Sequence, residues 1–393
     1  MLRFLTAGES HGPALTTIID GMPAGVPISE TAINTQLARR KVGYGRGGRM
    51  KIESDTARIL SGVRFGRSLG SPIAVLIENR DWANWTERMR QFEEPEHPIP
   101  AITTPRPGHA DLPGMIKYDT DDLRDILERA SARETAARVA AGAVARCMLD
   151  ELGVHVFSHV LSIGPVVAQP DIEDLAQLEA RAEQSDVRCA DDAAAEKMRE
   201  AIRSAAQQGD TLGGVVQIIA TGLPVGLGSH VQWDRRLDGI LAGALMSIPA
   251  IKGVEFGLGF EAARLPGSQV HDPMYPSENG IVRKTNHAGG LEGGITNGEP
   301  LVMQVAMKPI PTLTRSLPSV DVTTGGAVSA HAERSDVCAV PAAGVVAEAM
   351  AVFVLSSAIL GEICGDSFAE ICVRYAGRKQ HARDMFVSER ASR

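Results

Sequence analysis

Cysteine is scarce and shows no pairing pattern. The five cysteines, Cys147, Cys189, Cys338, Cys364 and Cys372, are odd in number and none sits in a CxxC pair, so neither a disulfide framework nor a zinc ribbon is indicated and a reducing cytosol fits. Positive charge is not in excess: 40 Lys and Arg stand against 48 Asp and Glu, a formal net charge of -8 with a pI near 5.7, which argues against nucleic acid as the default partner. No GxxxxGK followed by Ser or Thr occurs, so a nucleotide P-loop is absent. Low-complexity tracts are missing, and a single Arg with a very short apolar run before residue 8 is too little for a signal peptide. Long apolar runs are rare. The exception, PAAGVVAEAMAVFVLSSAIL from Pro341 to Leu360, has Glu348 as its only charge and no flanking aromatic belt. With AARVAAGAVARCML from Ala136, it reads as a helix buried in a soluble core rather than a membrane span.

What is present suits a large globular core. Hydrophobic residues make up 44% and charged residues 22% of 393 positions, enough for two domains or one large α/β unit. The sequence also echoes itself. IIDGMPAG from Ile18 and IIATGLPVG from Ile218 both leave a β-like run through Gly-x-Pro-x-Gly, placing Gly21, Pro23 and Gly25 opposite Gly222, Pro224 and Gly226. AAGAVA from Ala140 and AAGVVA from Ala342 repeat at nearly the same offset, each behind a Glu-Arg pair, Glu128-Arg129 and Glu333-Arg334. This predicts two related halves, about 1–200 and 201–376, in a single domain. Helices apolar all round need cover on every face, so the two helices should pack centrally with sheets outside them. The strand candidates LTTIID, MKIES, ARILSGV, SPIAVLIEN, VHVFSHVLSIG, GGVVQIIATG and PLVMQVAMKP point to an α+β fold with antiparallel sheets. The charged stretch Pro170 to Asp210 reads as two solvated amphipathic helices without chemistry, and 377–393 as a polar, mobile tail.

Several loops carry reactive side chains. GESHG, residues 8–12, follows the strand-like MLRFLTA, and its two glycines let the chain turn sharply and present Glu9, Ser10 and His11. LARRKVGYGRGGRMKIESD packs Arg39, Arg40, Lys41, Arg46, Arg49 and Lys51 around glycines. Its formal GxGxxG lies between a helix-like stretch and a strand, the reverse of the dinucleotide-binding order. A flexible loop of guanidiniums in an acidic protein suits forked bonds to phosphate or carboxylate. TTPRPGHADLPG fixes His109 and Asp111 in a stiff turn. With Glu9 and His11 these would also make a metal-ligand set, so a metal-dependent phosphatase acting on a small polyanion stays open, as does a non-catalytic anion-binding protein.

ERASARETAARVAAG sets Arg129 and Arg133 four apart on one helical face with Ser131 between them near the exposed end. HAERSDVCAVPAAG offers Arg334, Ser335 and Asp336 ahead of Pro341, where Ser335 or Asp336 could face a cavity or merely cap a helix. NHAGGLEGGITNGEP lets backbone approach a flat ring, and KPIPT, Lys308 to Thr312, supplies an ammonium, a hydroxyl and a rigid bend.

GESHG, ARRKVGYGR, RPGHAD, ERASARETAARVAAG, GGLEGGITNG, KPIPT and RSDVCAVPAAGVVAE resemble, in order and up to about residue 360, the motifs of the chorismate synthase family. The resemblance implies a carbon–oxygen lyase of the shikimate pathway, on the route to aromatic amino acids. It would form chorismate by 1,4-elimination of phosphate from 5-enolpyruvylshikimate 3-phosphate, with reduced FMN and no net redox change. It implies a cytoplasmic homotetramer whose subunit sandwiches helices between two antiparallel sheets, with no resident metal. By the same resemblance, His11 keeps the reduced flavin protonated, His109 assists the departing phosphate, and Asp336 works through a flavin nitrogen to take up the substrate proton. Ser10, Arg40, Arg46, Arg49 and Arg133 would hold the substrate, and in some members the counterparts of Arg40 and Arg46 are associated with NADPH. For FMN the matching positions are Arg129, Ala130, Ser131, Ala250, Gly293, Lys308, Pro309, Ile310, Pro311, Thr312 and Arg334. MSIPAIKG departs from the family pattern, because Pro249 replaces a Gln and brings neither a side-chain amide nor an N–H; Ala130 lacks the hydroxyl of some relatives. Whether the flavin is reduced with NADPH or by an external flavin reductase is left open.

Overall fold

The computed structural model describes residues 2–47, 55–92, 95–277, 280–331 and 335–385; Arg49, Arg334 and the strand expected over MKIES lie outside them. Runs rich in β-branched residues build two antiparallel sheets. In the first, β1 (Arg3–Ala7), β2 (Ala14–Asp20), β3 (Ala57–Ile59) and β4 (Ile73–Glu78) lie in the order β1-β2-β4-β3. The second holds β5 (His155–Ile163), β6 (Val166–Val167), β7 (Gly214–Thr221), β8 (Ile251–Phe256) and β9 (Leu301–Met307) in the order β6-β5-β7-β9-β8. Strand β8 is absent from the sequence expectation, since Gly253 interrupts its pattern where the register shifts.

The helices are α1 (Glu30–Lys41), α2 (Asp111–Tyr118), α3 (Arg124–Ala130), α4 (Thr135–Glu151), α5 (Leu175–Gln184), α6 (Asp192–Gln207), α7 (Leu237–Met246), α8 (Val340–Glu362) and α9 (Phe368–Asp384). Ser29 caps α1 by accepting from the Ala32 N–H, and Arg39, Arg40 and Lys41 end it, where cations offset the exposed carbonyls. α4 packs on the first sheet, α8 on the second, and the two helices pack on each other. This is the α+β sandwich of central helices between antiparallel sheets. By length and composition α8 could cross a membrane, with mean hydropathy 2.1, but 78% of that window is buried inside the fold. Glu348, its midpoint charge, accepts from Arg39 (2.7 and 3.0 Å), Arg146 (3.1 Å), Arg188 (3.1 Å) and Ser158 (2.7 Å). Burial alone would raise this carboxyl, and the three guanidiniums hold it below its ordinary value.

The two sheets share one strand order. Leaving out β6, each runs first, second, fourth, third in chain order, and every pairing is antiparallel. Each second strand exits through Gly-x-Pro-x-Gly with both outer glycines at positive φ: 90° and 93° at Gly21 and Gly25, 79° and 88° at Gly222 and Gly226. The second set begins at β5, just after α4 ends at Glu151. Helices α5 and α6, inserted between β5 and β7, account for the larger offset of the later motifs.

The C-terminal segment corrects another expectation. Helix α9 continues to Asp384, beyond the start of the expected tail at 377. Its anchor is polar and specific. The Ala24 N–H donates to the Asp366 carbonyl (2.8 Å), the Phe368 N–H to the Ala24 carbonyl (2.9 Å), the Tyr375 hydroxyl to the Gly222 carbonyl (3.2 Å), and Arg378 to the Gly226 carbonyl. One helix thereby fastens both Gly-x-Pro-x-Gly turns.

Candidate active site

GESHG joins β1 to β2 as a tight connection. Gly8 has φ 109°, and a Cβ there would meet the Ala14 carbonyl at 2.3 Å, so only glycine fits. Asn79 fixes the loop by donating to the carbonyls of Ser10 (3.2 Å) and Gly12 (2.9 Å). From α3, the Glu128 carbonyl accepts the Ser10 N–H (2.9 Å), and the Glu128 carboxylate takes the His11 N–H (2.8 Å) and lies 2.8 and 3.0 Å from His11 Nδ1. Trp85 stacks on the other side of the imidazole, 3.7 Å between ring centres. Burial works to raise the Glu128 carboxyl, yet the bond and charge of His11, with Arg124, pull it below its usual value.

RPGHAD repeats this arrangement. His109 Nδ1 lies 2.5 Å from Asp111 Oδ1. The Arg106 guanidinium donates to the same carboxylate (2.8 and 3.1 Å) and to the Thr312 hydroxyl (3.2 Å). Asp111 is buried, which would raise its carboxyl, but His109 and Arg106 hold it well below the carboxylate range. In both pairs a buried acid holds Nδ1, and Nε2 has no partner among the described residues.

The arginines arrive from α1 and from the turn after α3. Arg40 is buried and donates to the Thr135 hydroxyl (2.9 Å) and the Ala132 carbonyl (2.9 Å), while Arg133 pairs with Asp55, which also lies 3.5 Å from Arg40. Arg46 and Asp336 form an ion pair at 3.1 Å, and Asp336 Oδ1 accepts the Gly47 N–H at 2.6 Å. Neither Ser335 nor Asp336 caps α8, whose cap position is Ala339, with no side-chain hydrogen bond. KPIPT is fixed from behind: the Lys308 N–H donates to the Ala250 carbonyl (2.9 Å) and its ammonium to the Gly108 carbonyl (2.5 Å). Ala250 itself holds φ 69°, a left-handed conformation that alanine adopts at a cost of about 1 kcal/mol or more.

These groups line one cavity of about 470 Å³. Ser10, His11, Arg40, Arg46, His109 and Asp336 meet there with Ala130, Ser131 and Arg133, and the far wall carries Ala250, Lys308, Ile310, Pro311 and Thr312. Three expected residues do not line it. Pro309 is exposed on the outside of its bend. Gly293, at φ 61°, turns a short hairpin between Leu291–Glu292 and Ile295–Thr296. Arg129 faces outward and donates to the carbonyls of Gly8 (2.9 Å) and Thr6 (3.0 Å). It does not share a face with Arg133, because Ser131 (ψ 143°) breaks the helix between them.

The floor is small and apolar, with Ala339, Ala342 and Ala343 from α8 beside Ala130. Such a surface admits a planar ring system, and cations at both ends suit its phosphate and an anionic ligand beside it, so the residues present fit a flavin nucleotide. The described residues contain no group of three or more His, Cys, Asp or Glu placed to share a metal.

The segment read as two helices without chemistry has a mechanical part. The Tyr44 N–H donates to the Asp186 carbonyl (2.8 Å), and a Cβ on Gly45 would stand 2.7 Å from Ile202 of α6. Just past α6, the Thr211 hydroxyl donates to the Ile310 carbonyl (2.7 Å) and the Leu212 N–H to the Val337 carbonyl (2.9 Å). The insertion thus braces the arginine loop, KPIPT and the Asp336 loop together. Glu128, Asp55, Trp85 and Arg106 are site residues to which motif reading gives no role, although Glu128, Asp55 and Arg106 lie within ERASARETAARVAAG, LARRKVGYGRGGRMKIESD and RPGHAD; Trp85 lies in none of the motifs.

A family model described as chorismate synthase matches residues 2–360. The chain is 58% identical over 386 residues to the chorismate synthase of Moorella thermoacetica, covering 98% of this chain and 100% of that one. It is 55% identical over 391 residues to that of Geobacter sulfurreducens, with the same coverage. A solved structure described as a crystal structure of chorismate synthase superposes with a TM-score of 0.79 at 46% identity, covering 98% of each chain. The chain belongs to the chorismate synthase family.

Proposed function

We propose that this cavity forms chorismate from 5-enolpyruvylshikimate 3-phosphate with reduced FMN bound on its apolar floor. The observation that carries the reading is the convergence of two carboxylate-anchored imidazoles, Asp336 and four guanidiniums on one cavity. When bound, reduced flavin supplies the transient electron density that eases loss of phosphate and is regained as the hydrogen leaves. Arg40, Arg46 and Arg133, with Ser10, bind and orient the anionic groups, and their forked donors offset desolvation of the polyanion. His109 donates through Nε2 to the departing phosphate. His11 would hold a proton at Nε2 for the flavin, and Asp336 would take up the ring proton on its carboxylate, which Arg46 and the Gly47 N–H hold in place. Lys308 and Thr312 suit the FMN phosphate. Arg40 and Arg46 suit NADPH where it serves as reductant, with an external flavin reductase as the other source. A cytoplasmic homotetramer completes the reading.

The test is replacement of each imidazole. His11→Ala and His109→Ala should each lower turnover about 100-fold or more, the scale of a positioned acid, with FMN still bound. Unchanged turnover in either variant removes that residue from its role.

A further inference from the structure

We propose that Glu128 is a positioning residue that fixes the imidazole of His11, a reading that rests on the catalytic part given to His11 above. Nothing about Glu128 in the sequence suggests this. It lies in α3 four residues from Arg124, and the pair (2.9 Å) would pass for an ordinary helix ion pair. Yet its side chain is 1% exposed and spends both oxygens on residue 11, taking the N–H and facing Nδ1.

The consequences for His11 are geometric. With Nδ1 held by the acid and one ring face covered by Trp85, the imidazole cannot flip, and Nε2 is the nitrogen left for chemistry in the cavity. Trp85 is itself locked, its indole N–H donating to Asp81 at 2.9 Å and Arg124 lying 5.2 Å from its ring. Residue 128 also reaches Ser10, but through its main-chain carbonyl. A side-chain replacement therefore leaves the Ser10 contact in place and changes only what His11 meets. An acid that orients a histidine from behind typically contributes a factor of about 10 to 100 when the histidine is a metal ligand, and more in hydrolytic triads.

A double-mutant cycle decides the matter, measured anaerobically with reduced FMN on His11→Ala, Glu128→Gln and the double variant. We expect Glu128→Gln to lower kcat about 10-fold or more with KM within about threefold. We further expect the double variant to be no slower than His11→Ala alone, because the two residues act as one unit. Arg124→Met loosens Trp85 but keeps both Glu128 contacts to residue 11, so it should cost less kcat than Glu128→Gln; a loss equal to that of Glu128→Gln would make Glu128 a structural ion-pair partner and overturn the proposal. A Glu128→Gln variant with wild-type kcat, or losses that add in the double variant, would also overturn it while leaving the role of His11 standing. If instead His11→Ala kept full turnover, the role of His11 would fall and the proposal with it. Should Glu128→Gln not fold, Glu128→Asp serves: it keeps the charge but withdraws it from Nδ1, and must show the same kcat loss and the same closed cycle.

Discussion

Gly142 of α4 packs directly against Ala349 of α8, the other central helix: a Cβ on Gly142 would lie 2.5 Å from the Ala349 Cβ and 2.6 Å from its carbonyl oxygen. Helix propensity alone favours alanine there by about 1 kcal/mol. Overpacking should outweigh it. Gly142→Ala is expected to destabilise by about 1–3 kcal/mol in denaturant unfolding, and a stabilised variant would show that the helices separate freely.

Glu348 should be costly to remove. Three guanidiniums converge on it; Arg39 and Arg188 also pair with Glu183, but Glu348→Ala takes the carboxylate from the largely buried Arg146, with an expected loss of about 3 kcal/mol. The midpoint of urea unfolding measures it. A loss under about 1 kcal/mol would mean that water reaches the cluster.

Acid should destabilise the protein through identifiable groups. Burial opposes ionisation of Asp111, Glu128, Glu183 and Glu348, yet their histidine and arginine partners lower every one, Glu183 to about 2. A carboxyl depressed on folding contributes stability above its unfolded pKa of about 4, and that contribution is lost as pH falls through the folded value. The thermal midpoint should hold steady from neutrality to about pH 5 and fall steadily below about pH 4. A midpoint that rises on acidification contradicts this assignment.

Truncation after Glu362 tests the clasp formed by α9. Without it the Ala24 N–H loses its Asp366 acceptor and the Gly222 and Gly226 carbonyls lose Tyr375 and Arg378. Hydrogen exchange at Ala24 should accelerate by an order of magnitude or more. Exchange unchanged there would leave α9 without a bracing part.

Different parts of this design were legible in the sequence for different reasons. GESHG announced itself because a sharp turn demands Gly8, and that local demand marked Ser10 and His11 without reference to the rest of the chain. The two central helices were visible as unbroken apolar runs. Glu128 was hidden, since a helical acid with Arg124 four residues earlier looks the same whether it faces solvent or an imidazole 117 positions away. Arg129 and Arg133 were misplaced because nothing local marks Ser131 as the residue that ends α3. The bracing by α5 and α6 was illegible for a related reason: an amphipathic pattern says which face is buried, not what is buried against it.

The measurement that bears most directly on the central claim is an anaerobic assay with dithionite-reduced FMN and 5-enolpyruvylshikimate 3-phosphate, following chorismate and free phosphate together. Lyase chemistry in this cavity predicts that both appear in equal amounts, only with reduced flavin, and without loss to chelators. Phosphate release without chorismate, indifferent to flavin and abolished by a chelator, would contradict it.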